Sequence, residues 1–190
     1  ATLRDRGVHV VGPGSGYLAC GDVDTGRMSE PEDIVEAICE VLNPVPQDLT
    51  GKRIVITAGP THEPIDPVRF IGNRSSGKMG ISLAGEAARR GAAVTIVLGP
   101  TSIDVPRGVE CVRVQTAAEM LQAALSAFQT ADAAICAAAV ADYTPAAPAD
   151  HKLKKANERL DRIELVETLD ILAELSRQKG ERCVIGFAAE

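Results

Sequence analysis

The sequence predicts an α/β domain built on a parallel, doubly wound sheet with helices on both faces. Three observations carry that expectation. Runs such as Arg53-Ile54-Val55-Ile56-Thr57 and Ala133 to Ala138 are almost continuously apolar, as strands covered on both faces must be. These runs alternate with stretches of helical periodicity. The 45% of apolar residues comes mainly from Ala, Val, Ile and Leu, with 3% aromatics and no Trp. Such a palette suits a layered α/β core better than an all-β sandwich.

The chain opens with a strand over Val8 to Val11, a glycine-rich loop from Gly12 to Gly26, and a helix from about Glu32 to Leu42. Ser29 is placed to cap that helix and Pro31 suits its first turn. Glu30, Glu32 and Asp33 favour the positive end of its dipole. Ile34, Val35, Ile38 and Leu42 form an apolar stripe. A strand and a helix without neighbours cannot bury both faces, so residues 1–43 read as the tail of a domain whose body lies elsewhere. Residues 44–51 read as a linker, because Pro44, Pro46 and Gly51 punctuate a stretch without periodicity.

From residue 52 to 190 the pattern is regular. A strand at Arg53 to Thr57 is followed by a long loop, Ala58 to Ser76, and a helix from about Gly77 to Arg90 that Gly91 closes. Ala93 to Leu98 is the next strand. Thr116 caps a helix over Ala117 to Gln129, with Met120, Leu121, Ala124, Leu125 and Phe128 on one face. A buried strand, Ala133 to Ala138, leads into a proline- and alanine-rich loop, Asp142 to Asp150. Lys152 to Lys155 and Arg162 to Val166 read as two short strands. Thr168 caps a helix to about Gln178, and Cys183 to Phe187 is the last strand.

Composition excludes several functions. A net charge of −6 leaves no broad basic face for nucleic acid. No run approaches the roughly 18 apolar residues of a membrane span. The five cysteines are scattered with no CxxC pair, so neither a zinc site nor a disulfide framework is indicated. The expectation is a reduced, cytoplasmic protein with neither nucleic acid nor membrane as partner.

Gly72-Asn73-Arg74-Ser75-Ser76-Gly77-Lys78-Met79 fits the first seven positions of a phosphate-binding P-loop. Its eighth residue should be a Ser or Thr that binds magnesium, and Met79 cannot do that. A weaker reading survives: small residues entering a helix present backbone N–H groups that suit an anion. Gly59, Ser75, Ser76 and Gly77 are the candidate phosphate contacts. In a doubly wound sheet ligands sit outside the C-terminal strand ends. There Asp142 could hold magnesium beside a triphosphate, or simply form the turn before Thr144-Pro145. Lys152, Lys154 and Lys155 could neutralise phosphates or protect a sheet edge. Cys20, among glycines, could be an accessible proton donor, whereas Cys136 and Cys183 read as core residues.

Five ordered strings go further. Ile56 to Phe70, Asn73 to Gly80, Ala137 to Tyr143, Lys152 to Lys155 and Gly186 to Glu190 closely resemble the bacterial phosphopantothenoylcysteine synthetase domain. Leu18 to Asp22 and Gly26 to Pro31 resemble the end of the fused phosphopantothenoylcysteine decarboxylase. The resemblance implies a synthetase that activates 4′-phosphopantothenate with CTP and magnesium, then couples L-cysteine through an acyl-cytidylate. It implies that Asn73 holds that intermediate and Lys152 is needed to form it. Cys136, Ala137, Ala138, Asp142 and Phe187 match positions that contact CTP, with Asp142 facing the magnesium. The resemblance also implies Asp170, Ile171 and Leu172 as nucleotide contacts. Leu169 stands where the family has proline, since its Asn-Pro-Asp-Ile is Thr168-Leu169-Asp170-Ile171 here. Cys20 matches the proton donor of the FMN-dependent decarboxylase, whose flavin-binding core is not in this chain. The chain therefore reads as an internal fragment of a bifunctional protein, with ligase domains that form a homodimer within a larger homo-oligomer. Two alternatives come from other classes: a Rossmann-like NAD(P)-binding oxidoreductase, and a non-catalytic nucleotide-binding module.

Overall fold

A computed structural model describes residues 2–17, 23–154 and 161–187. Cys20 and Lys155 lie outside the described residues. The chain forms two compact units, Ala1–Pro46 and Gln47–Glu190.

The first unit contains α1 (Thr2–Asp5), β1 (Gly14–Tyr17), β2 (Val23–Arg27) and α2 (Pro31–Leu42). Residues 8–11 are not a strand. The glycine-rich stretch expected to be a loop supplies the β-structure instead, with β1 and β2 paired antiparallel. An isolated apolar run gains nothing from extending unless a partner completes its ladder. Helix α2 begins at Pro31 as expected, but its cap is Glu30, without a side-chain cap bond. The Ser29 hydroxyl lies instead against Gly12, where an added Cβ would come within 2.6 Å of it. No residue of α2 is buried, and Val35, Ile38 and Leu42 of its apolar stripe are exposed.

The second unit runs β3 (Arg53–Ala58), β4 (His62–Pro64), β5 (Phe70–Gly72), α3 (Lys78–Arg89), β6 (Ala93–Leu98), β7 (Val109–Arg113) and α4 (Ala117–Phe128). It continues through β8 (Ala133–Cys136), β9 (Tyr143–Pro145), β10 (Leu165–Glu167), α5 (Ile171–Arg177) and β11 (Cys183–Gly186). Its main sheet has the order β11-β8-β3-β6-β7, and every pairing is parallel. The period of two along β3 sorts its side chains. Ile54, Ile56 and Ala58 face Ile81, Ala84 and Ala87 of α3. Val55 faces the other way, toward Met120, Leu121, Ala124 and Phe128 of α4 and Ile171 and Leu175 of α5. Helices therefore cover both faces, the doubly wound arrangement read from the sequence.

Four local expectations change. The stretch 58–76 holds the β4–β5 hairpin rather than only a loop. Strand β7, an edge strand, went unread. Thr168 does not cap the last helix: Asp170 does, its carboxylate accepting from Ala173 N at 3.0 Å. Residues 152–154 have no regular structure, and the strand expected at Arg162 to Val166 is limited to Leu165–Glu167. The α4 start follows the sequence closely, with Thr116 and Glu119 forming a reciprocal capping box.

Residues 47–51, expected as linker, belong to the second unit. Leu49 packs on the α3-side core, Gln47 Nε2 donates to Arg89 O at 2.9 Å, and Asp48 pairs with Arg90. Gly91, at φ 92°, lets this stretch close on the end of α3, since a Cβ there would meet Thr50 Oγ1 at 2.6 Å.

Candidate functional site

Strands β6 and β7 lie to one side of β3, and β8 and β11 to the other. The order in which strands are added thus reverses between β3 and β8, while the strands stay parallel, and a crevice opens beyond their C-terminal ends. The two exits stay paired past the sheet: Ala137 N donates to Thr57 O at 3.1 Å, Ala139 N to Gly59 O at 2.9 Å, and Thr61 N to Ala139 O at 3.3 Å. Three side chains from separate segments then hold residues 140–141. Asn73 Nδ2 donates to Val140 O at 2.9 Å. The fully buried Thr61 accepts from Ala141 N at 2.9 Å. Thr168 Oγ1 donates to Ala141 O at 2.6 Å. The hairpin that carries Thr61 toward Asn73 is itself fixed, because the buried Glu63 carboxylate accepts from Ala117 N, the first residue of α4, at 2.9 Å.

Beyond this scaffold lies an open cleft of about 450 Å³. Thr57, Cys136 and Ala138 line it from the sheet, Asp142 and Tyr143 from the β8–β9 connection. Residues 167–172 and the β11 end, Gly186 and Phe187, complete it. Seven sequence-predicted nucleotide contacts meet here: Cys136, Ala138, Asp142, Asp170, Ile171, Leu172 and Phe187. Asn73 touches the cleft wall through Val140.

Other candidates lie elsewhere. Ala137 does not line the cleft, its N–H being committed to Thr57. Lys152 is exposed on the β9–β10 connection, outside the lining. The candidate phosphate contacts are also apart from it. Gly77, at φ 76°, precedes α3 and packs on Gly59, with a Cβ there only 3.2 Å from the Gly59 Cα. Ser75 Oγ accepts from Gly77 N at 3.3 Å and Ser76 Oγ from Lys78 N at 3.4 Å. The hydroxyls thus engage the N–H groups that an anion would use. The P-loop reading also fails on context, since β5 belongs to a hairpin and not to the parallel sheet.

Electrostatics define the cleft further. Asp142, Glu167 and Asp170 line it, with no Lys or Arg among the described lining residues. Burial first, and the Asp170 carboxylate second, push the Cys136 thiol up to about 11, against a hydrogen bond with Thr57. Cys136 is therefore a neutral thiol at physiological pH. No three carboxylate, histidine or cysteine donors are grouped to hold a metal among the described residues, so Asp142 fits a magnesium only as one hard oxygen donor beside phosphate oxygens. The described residues of the first unit contain no buried side chain, and they do not fit an enclosed flavin ring.

Sequence reasoning missed Thr57, Glu167 and Thr168 in the lining. Thr168 was visible only as a helix cap. It also missed Asp66, which is buried and accepts from Val68 N and Arg69 N at 2.8 Å each and from the Arg69 guanidinium.

An all-parallel sheet of this order, with its cleft at the point of reversal, defines a Rossmann-like ligand-binding domain. Residues 49–190 match the DNA/pantothenate metabolism flavoprotein C-terminal domain, and the chain belongs to that family. It is 47% identical over 192 residues to the coenzyme A biosynthesis bifunctional protein CoaBC of Bacillus subtilis (strain 168), covering 100% of this chain and 47% of that protein. The chain thus spans about half the length of the curated relatives it matches. The solved C-terminal domain of a CoaBC protein is 47% identical, with a TM-score of 0.66 over 76% of this chain and 67% of that one. A Cab2 mutant in complex with phosphopantothenate-cysteine shares the fold at a TM-score of 0.54 and 17% identity, over 83% of this chain and 70% of that one. No helix among the described residues is long and apolar enough to cross a membrane.

Proposed function

We propose that the second unit carries the CTP-dependent ligation of 4′-phosphopantothenate with L-cysteine in coenzyme A formation. Residues 1–43 are then the tail of an FMN-dependent decarboxylase, with Cys20 its proton donor. One observation supports the ligase reading above the others: seven residues matched to nucleotide contacts line one cleft at the sheet's point of reversal. The end of β6, Val97-Leu98 followed by Gly99, offers no acidic group for a ribose hydroxyl, which disfavours the dinucleotide oxidoreductase.

In this reading the phosphopantothenate carboxylate attacks the α-phosphorus of CTP, and the bond to the pyrophosphate breaks. The cysteine amine then attacks the acyl carbon, loses a proton, and displaces CMP to leave an amide. Phe187 and the backbone near Ala138 frame the small pyrimidine. Three carboxylates repel a bare triphosphate, so magnesium, held by Asp142 and phosphate oxygens, would supply charge neutralisation. Lys152 offsets charge in the first step, and the Asn73 amide orients the acyl-cytidylate. The exposed Leu165 and Val166 of β10 support contact between copies as a homodimer.

The deciding experiment measures phosphopantothenate-dependent pyrophosphate release by the full-length protein with CTP and with ATP. Turnover with CTP well above that with ATP is expected. Equal turnover would remove the nucleotide assignment, and NAD(P) binding without CTP binding would remove the ligase reading.

A further inference from the structure

Lys152 stands in a long excursion between Pro145 and Leu165, the facing ends of β9 and β10. Held only at its base, where Ala146 N donates to Glu164 O at 2.9 Å, such a loop would sample many positions for its exposed lysine. Among the described residues, hydrogen bonds also tie it to the turn between β4 and β5. Ala149 N donates to Ile65 O at 2.9 Å. Leu153 N donates to Asp66 Oδ2 at 3.2 Å, and Arg69 Nη2 donates to Leu153 O at 3.0 Å. The Asp66–Arg69 pair thus grips both backbone groups of the residue after Lys152. Asp66 has no exposed side-chain surface, and it orders its own turn by accepting from Val68 N and Arg69 N. That turn feeds directly into β5 and then Asn73.

We propose that Asp66 is a positioning residue that fixes Lys152 and Asn73 relative to each other, by fastening the lysine loop to the hairpin that ends at Asn73. The proposal rests on the ligase reading for the roles of those two residues. A charge-neutralising group works only when held where charge develops, so a loosened loop should slow the first step while leaving nucleotide binding nearly intact.

The test uses Asp66→Asn in the full-length protein, with two separate readouts. Trypsin cleavage after Lys152 reports the fastening, because the scissile N–H is the one donated to Asp66. It should accelerate at least tenfold, with sites outside this loop unchanged. Phosphopantothenate- and CTP-dependent pyrophosphate release should lose at least tenfold in kcat, with KM for CTP within twofold. Combining Asp66→Asn with Lys152→Gln should be no slower than Lys152→Gln alone. Ala149→Pro, which cuts a different tie on the exposed loop, serves if Asp66→Asn does not fold, and should accelerate the same cleavage. Unchanged cleavage in the folded variants overturns the fastening. Faster cleavage with unchanged kcat, or a rise in KM alone, overturns the positioning role. If wild-type protein releases no pyrophosphate, the ligase reading and the positioning role fail together, and accelerated cleavage still supports the fastening.

Discussion

Gly80 and Ala58 meet where helix α3 crosses strand β3, so closely that a Cβ on Gly80 would stand 2.4 Å from the Ala58 Cβ. Both residues are buried, and β3 is the central strand of its sheet. Neither element can retreat without opening a core. Gly80→Ala should therefore cost roughly 1–3 kcal/mol through overpacking, beyond the ~1 kcal/mol that alanine gains in a helix. Urea unfolding should show a lower midpoint. Adding Ala58→Gly should recover part of the loss, and a double variant no better than the single would show that the contact is not responsible.

Asn73→Asp separates scaffold from chemistry. The wild-type amide donates to Val140 O, and a carboxylate would face that carbonyl with no proton to share. Losing one exposed hydrogen bond costs about 0.5–1.5 kcal/mol, so the protein should remain folded. Under the proposed ligase function, CTP- and cysteine-dependent amide formation should fall by about two orders of magnitude, as for loss of a positioned donor. A folded variant with near-normal amide synthesis would remove Asn73 from the site.

The Cys136 thiol should be the slow one. With its ionisation pushed up to about 11 by burial and by Asp170, alkylation near pH 8 should lag well behind that of Cys39 and of Cys183, which is exposed and not the core residue its apolar strand suggests. Asp170→Asn should move its reactivity profile toward lower pH, because a raising charge is removed. Peptide-resolved alkylation between about pH 7 and 11 measures both effects. Rapid modification of Cys136 at pH 7 would contradict the environment described.

Acid should act through Asp66. The Arg69 guanidinium leads, and backbone N–H donors assist, in holding its carboxyl well below an ordinary value near 3.8, against the opposing effect of burial. A carboxylate lowered on folding contributes stability that is fully present above its unfolded value, near pH 4. That contribution is lost as pH falls toward the folded value. Urea midpoints of wild-type protein should thus decline below about pH 4, and those of Asp66→Asn should decline less steeply. Parallel curves would exclude Asp66 as a source of the acid sensitivity.

What the sequence disclosed depended on whether the responsible interactions were local. Strand β3 announces itself because a strand covered on both faces must be apolar throughout, and α4 because Thr116 and Glu119 form its cap within one turn. Strand β7 was hidden: at the edge, Val109-Glu110-Cys111-Val112-Arg113 mixes charge with apolar residues and never forms a continuous run. The β4–β5 hairpin was masked by Pro64 and Pro67, although its turn is closed by Asp66 itself. Much of the cleft was legible, since Cys136 and Asp142 sit on or beside a recognisable strand end. The tie from Asp66 to Leu153 spans 87 residues, and no short pattern reports it.

The packing of Leu49 and the bonds from Gln47 and Asp48 to the end of α3 also determine where the second unit can be cut free. Severing between Pro46 and Gln47 keeps this clasp, while starting at Lys52 uncovers part of the α3-side core and leaves Arg90 without its acidic partner. Residues that look like a tether in the sequence are thus the first structural part of the domain they precede, and an independently expressed second unit has to begin with them.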